Sequence, residues 1–197
     1  MIFLRSYILS GDLRGKNFIE SVNLCFELCS KFSLGRSCFC TFDSKRALES
    51  GLKTFDEADE YNLMTYSYVD NENFQNLSAK LKPFYITNFK TSRWHCYIVD
   101  EKNPLEIFLY DFNDESKNII LDTFDNIFLN ADFVLEDICF FKENGDLLLG
   151  TVSHEGMCNL FLDESLHDEY YKKFSSVSIW EYSKKMDSER INLNDYL

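Results

Sequence analysis

Residues 134–153, VLEDICFFKENGDLLLGTVS, narrow the possible folds more than any other stretch of the chain. Two runs dense in aromatic and aliphatic side chains, 134–142 and 147–153, flank the tetrapeptide ENGD. Asn144-Gly145 between such runs favours a tight hairpin, because turns that match strand twist need positive φ at their central residues. The spacing predicts an antiparallel hairpin, and MCNLFL (157–162) can add a further strand.

Other segments extend the pattern. FYITNF (84–89), WHCYIV (94–99) and LEIFLY (105–110) are short, aromatic and β-branched, and predict a meander of three antiparallel strands. Helical spacing marks residues 17–32, with Phe18, Val22, Cys25, Phe26, Cys29 and Phe32 on one face. A second helix is expected after Ser44 on Leu48, Leu52 and Phe55, weakened by Gly51. A third carries Phe74, Leu77 and Leu81 and stops at Pro83. A fourth starts from Asp114 as N-cap, with Ile120, Phe124, Ile127 and Phe128 on its apolar face. Ser165-x-x-Asp168 reads as a capping box before Leu166, Tyr170 and Phe174. The polar last dozen residues are expected to fray. With no linker or repeat, the expectation is one α+β domain over 1–197: a largely antiparallel sheet with N-terminal and interspersed helices packed on it.

Composition limits the class of protein. With 45% hydrophobic residues, 19 Phe and 11 Tyr against 7 Gly and 2 Pro, the chain can bury a sizeable core. No apolar run approaches the ~20 residues of a membrane span, and the opening MIFLRSYILSGDLRG does not read as a signal peptide. Seven cysteines, an odd number placed mostly within apolar patterns, point to reduced thiols and a cytoplasmic location. Charge is uneven: residues 1–98 hold 12 Lys/Arg against 11 Asp/Glu (+1), whereas residues 99–197 hold 8 against 22 (−14). Such a surface repels nucleic acid and favours a basic partner, although acidity also serves solubility.

Candidate chemistry centres on GTVSHEGMC (150–158), which opens H-E-x-x as zinc proteases do but ends in Cys158. Extended, the stretch would hold His154 and Cys158 ~13 Å apart, too far for one metal, unless Gly156 breaks the strand into a turn. His154 and Glu155 are then expected on opposite faces of a strand. His95 and Cys96 are likewise expected on opposite faces, while Cys96 with His154, or Cys158 with His95, can meet across strands. Cys25 and Cys29 share an apolar helix face and read as core; Cys38-x-Cys40 lacks a second ligand pair. No phosphate-binding glycine motif is present, and LSGDLRGK (9–16) is only a loose Gly/basic cluster. Lys80, Lys82, Lys90 and Arg93 flank aromatics, but the net charge of −13 opposes a nucleic-acid role. No metal or other cofactor is expected.

LEDICFFKENGDLLLGTVSHEG (135–156) resembles a hairpin of small bacterial immunity proteins, which neutralise toxin domains used in contact-dependent or polymorphic interbacterial competition. The resemblance implies a non-enzymatic cytoplasmic protein that binds one cognate toxin, often a basic nuclease, and blocks it. Acidic residues beside aromatics in the second half are the expected contact set: Glu136, Asp137, Asp163, Glu164, Asp168, Glu169 and Tyr171. The alternative is a Cys–His hydrolase or transferase using Cys96 or Cys158 with His95 or His154.

Overall fold

A computed structural model describes residues 4–42, 64–129 and 134–197, together with Glu49 and Gly51. The fold is α+β. Its strands, in chain order, begin with β1 (Leu4–Leu9), β2 (Cys29–Arg36), β3 (Cys38–Phe42) and β4 (Met64–Tyr68). Next come β5 (Tyr85–Thr91), β6 (Arg93–Trp94), β7 (Tyr97–Ile98) and β8 (Leu105–Asp111). The last are β9 (Glu136–Lys142), β10 (Leu147–Val152), β11 (Met157–Asp163) and β12 (Trp180–Tyr182). Four α-helices are described: α1 (Lys16–Leu28), α2 (Glu72–Leu81), α3 (Asp114–Thr123) and α4 (Glu164–Val177). One eight-stranded, wholly antiparallel sheet runs in the order β12-β1-β11-β10-β9-β2-β8-β5. The pairs β3–β4 and β6–β7 form separate two-stranded ribbons.

The apolar runs at 134–162 follow from where their strands lie. β10 is buried at every position, and β9 and β11 nearly so, because both faces of the sheet are covered. On one face Phe32, Leu34, Ile138, Phe140, Leu160 and Leu162 lie beneath the four helices, layered α4-α1-α3-α2. On the other, Ile107, Leu109, Cys139, Phe141 and Phe161 meet Trp94 and a C-terminal strap carrying Met186, Ile191, Leu193 and Tyr196. A strand buried on both sides loses the alternation of a half-exposed one and reads as a continuous apolar run.

The strap corrects the expectation of a frayed terminus. Leu147 N–H donates to Ile191 O (3.1 Å) and Leu193 N–H to Gly145 O (2.9 Å), so the chain end is tied to the hairpin turn. Arg190 bridges Asp163 (2.7 Å) and Asp146, and Tyr196 stacks on Phe89. Leu193 is fully buried, and with Met186, Ile191 and Tyr196 packed beside it the apolar contact outweighs the neighbours' preference for water.

Other boundaries also move. α1 ends at Leu28, and Cys29 and Phe32 belong to β2; Phe32 and Leu34 alternate with Ser33 and Gly35, a strand period hidden by the i, i+3 spacing of Cys29 and Phe32. β1, between β11 and β12, was not expected at all. Residues 94–99 form the β6–β7 turn rather than a third meander strand, so β5 pairs directly with β8. The N-cap of α3 is Asn113, whose Oδ1 accepts from Ser116 N, and Asp114 is the first helical residue. α4 begins after Asp163 with no side-chain cap, so Ser165 and Asp168 form no capping box. The helix expected on Leu48, Leu52 and Phe55 falls largely outside the described residues. The hairpin turn falls where the sequence predicts, but of Asn144 and Gly145 only Gly145 takes a positive φ, at 85°.

Gly150 is required by close approach. A Cβ there would lie 2.7 Å from His95 Cδ2 and 3.0 Å from Leu147 Cδ2. Gly150→Ala should therefore destabilise the fold by about 1–3 kcal/mol, the usual cost of overpacking a filled core. Denaturant midpoints measure it, and an unchanged midpoint would contradict the packing.

Candidate functional site

The β6–β7 turn places His95 and Cys96 between Trp94 and Tyr97, which face each other across the ribbon. Cys96 takes φ 53°, so the chain reverses and the expected separation of the two side chains onto opposite faces does not hold. The His95 ring enters the strap-covered interface, lies over Gly150 and meets Phe161 edge-on at 5.6 Å. Nδ1 contacts the Glu189 carbonyl (3.3 Å), which only accepts, so Nδ1 carries the proton and Nε2 accepts from Asn159 Nδ2 (3.0 Å). Asn159 stands opposite Gly150 in the β10–β11 register, so the small residue makes the space and its partner supplies the hydrogen bond.

This grouping of Cys, His and Asn lacks the electrostatics of an activated thiol. Cys96 Sγ lies 3.6 Å from both ring nitrogens, in line with neither, and both nitrogens already have partners. Burial, helped by the Glu189 and Glu155 carboxylates, pushes the Cys96 thiol up to about 12. Burial pushes His95 down to about 4, so the imidazolium that would stabilise a thiolate is itself disfavoured. Cys158 is on the helix-covered face, away from His95, and burial raises its thiol well above the ordinary value. Cys25 and Cys29 are core residues, as expected.

The GTVSHEGMC stretch is a turn. β10 ends at Val152, Ser153–Glu155 form one 3-10 turn, Gly156 adopts φ 62°, and β11 starts at Met157. His154 and Glu155 therefore do not alternate across a strand; His154 Nδ1 lies 3.5 Å from Glu136 Oε2. Among the described residues, no three His, Cys, Asp or Glu side chains converge on a metal-sized site.

The expected contact residues divide. Asp137 is only 1% exposed, accepts from Ser153 N at 2.6 Å, and is raised to about 6 by burial, with Glu136 adding repulsion. It faces the sheet interior and is not available to a partner. Asp163 is held by Lys142 of β9 and by Arg190, which fastens the strap; it too is structural. Glu136 is half-buried beside His154. Glu164 and Asp168 are exposed one turn apart on α4. Glu169 shares Lys173 with Glu27, at 2.9 and 2.8 Å. Tyr171 stacks on Tyr7 (4.5 Å) and on His167 (5.4 Å), whose Nδ1 meets Asp168. A second exposed acidic group was missed: Asp111, Asp114, Glu115, Asp122 and Asp125 on and around α3, with Lys117 as the only cation between them. Its signal was present in DFNDESK and LDTFD (111–125), where helix periodicity drew notice only to the buried face.

With this α+β architecture in view, comparison with protein families, curated proteins and solved structures gives no match to the chain.

Two buried groups give opposing pH dependences. Asp137 keeps its proton in the native state up to about 6, above its ordinary 3.8, so its contribution to stability is lost as pH rises through that window. His95 takes its proton only near 4, below its ordinary 6.5, so its contribution is lost as pH falls through that window. Each amounts to roughly 1.4 kcal/mol per pH unit at most, and they offset one another. Asp137→Asn should therefore fall in stability relative to wild type on acidification from 6.5 to 4, and His95→Gln should rise. Melting temperatures across pH test this; parallel profiles for all three proteins would contradict it. Separately, Cys96 should alkylate more than about a hundredfold more slowly than free cysteine at neutral pH, because so little thiolate is present. A fast, single reactive thiol would contradict this electrostatic account.

Proposed function

We propose that the chain is a non-catalytic interaction protein of the bacterial immunity type, which acts in the cytoplasm and neutralises a basic toxin domain. The observation that carries this reading is the outer surface of the helix layer, where carboxylates of α3 and α4 stay exposed while Asp137 and Asp163 are used internally. Glu164, Asp168 and Glu169 on α4 and Glu115, Asp122 and Asp125 around α3 flank α1, and Tyr171 supplies a stacked aromatic beside the first set. Anionic side chains spread over one layer raise the rate at which a cationic surface is captured, and aromatics supply short-range contact. No described helix is long and apolar enough to cross a membrane. The resemblance of residues 135–156 to immunity-protein hairpins supports the partner class.

A second reading, a Cys–His hydrolase or transferase, has in its favour the contact of Cys96 with His95 and Asn159. The raised thiol and the occupied imidazole nitrogens count against it.

Co-expression with a toxin domain encoded beside the gene tests the proposal. The chain should restore growth and bind the toxin. Reversing Glu164, Asp168, Asp122 and Asp125 to Lys should slow association by about tenfold or more at low salt, with the difference shrinking as salt is added. Unchanged association at low salt would overturn the acidic-surface reading.

A further inference from the structure

The most electropositive stretch of this acidic protein lies along an open sheet edge. Residues 73–99 contain no Asp or Glu but include Lys80, Lys82, Lys90 and Arg93, all exposed. None of the four forms an ion pair among the described residues; Lys90 instead sits 4.5 Å over the ring of Tyr68. This segment holds β5, the outermost strand of the eight-stranded sheet, and no described strand pairs with its outer side. The strand is seven residues long, with Tyr85 and Ile86 exposed at 45% and 38%. The opposite edge, β12, has three residues.

Beside β5 the helix-covered face opens into a groove of about 270 Å³, lined by Ser78, Lys82, Tyr85, Asn88, Phe108 and Tyr110. Its floor is apolar and aromatic, and Lys82 stands at its rim. The nearby Glu106 carboxylate is already engaged by Arg36 and Asn88, and Asp70 by Arg36, which offsets part of the local negative charge.

We propose that β5 receives an acidic, extended segment of a partner protein by strand addition. An aromatic or aliphatic side chain of that segment enters the groove, and its carboxylates meet Lys82, Lys90 and Arg93. Three features select this occupant. An unpaired edge presents backbone N–H and C=O groups to a new strand. The adjoining groove gives one side chain a buried seat. The charge matches acid and disfavours self-pairing, since two copies meeting edge to edge would bring their own lysines together. The surface uses none of the α3 and α4 carboxylates, and the inference does not rest on that reading.

The probe is a blocked, fluorescein-labelled octapeptide of alternating Val and Glu, followed by fluorescence anisotropy with the full chain. Controls are the Val-Lys analogue, two Val-Glu peptides N-methylated at alternate residues in either phase, and a single-stranded oligonucleotide of equal charge. The Val-Glu peptide should bind and slow amide exchange across 85–91. One of the two N-methylated peptides should lose at least tenfold, as should the K82E/K90E/R93E variant, which changes only exposed side chains. No binding at low salt, equal binding of all peptides, tighter binding of the oligonucleotide, or self-association of the chain through this edge would each overturn the proposal.

Discussion

The central constraint is that β9, β10 and β11 are buried on both faces. A sheet of this kind cannot leave one face to water, so the rest of the chain must supply two covers. The four described amphipathic helices make the first. The second comes from pieces with little secondary structure: the β6–β7 turn and the strap ending in Leu193 and Tyr196. The strap is secured by groups at the sheet's end, where Asp163 holds Arg190 and the Asn144-Gly145 turn receives the Leu193 amide. Two of the expected acidic contact residues, Asp137 and Asp163, are consumed by this construction.

The same burial governs the chemistry. His95 Nε2 accepts from Asn159 Nδ2 in the space left by Gly150, and low polarity there favours the neutral imidazole and the protonated Cys96 thiol. Cys96, His95 and Asn159 are in mutual contact there, and both imidazole nitrogens already have partners. Surfaces that can meet a partner lie at the periphery: exposed carboxylates of α3 and α4 on the helix layer, and exposed lysines along β5. These two sets are opposite in charge.

The sequence was legible where local physics decided the outcome. The Asn144-Gly145 turn needs positive φ, and the 74–81 spacing and Pro83 delimit α2 closely. It was misleading where a long-range partner decided. Nothing near residues 190–197 shows that Leu193 will find a pocket, and Cys29 and Phe32 fit a helix until β8 and β9 capture them as a strand. The contact residues suffered from the same gap. Asp137 and Glu164 are equally acidic in a list of letters, and only the alternation of β9, with Cys139 and Phe141 on the side of Asp137, shows that Asp137 points inward. Two-sided burial erased the polar alternation that would have revealed it.

Amide hydrogen exchange on the intact chain and on a chain ending at Ser183 tests two-sided burial most directly. The intact protein should protect β9–β11 most strongly and also protect the Leu147 and Leu193 amides, which the strap engages. Without the strap, protection of β9–β11 should fall by several orders of magnitude, and the exposed face should bind an apolar dye. Undiminished protection of those strands in the shortened chain would contradict the claim that the sheet depends on its second cover.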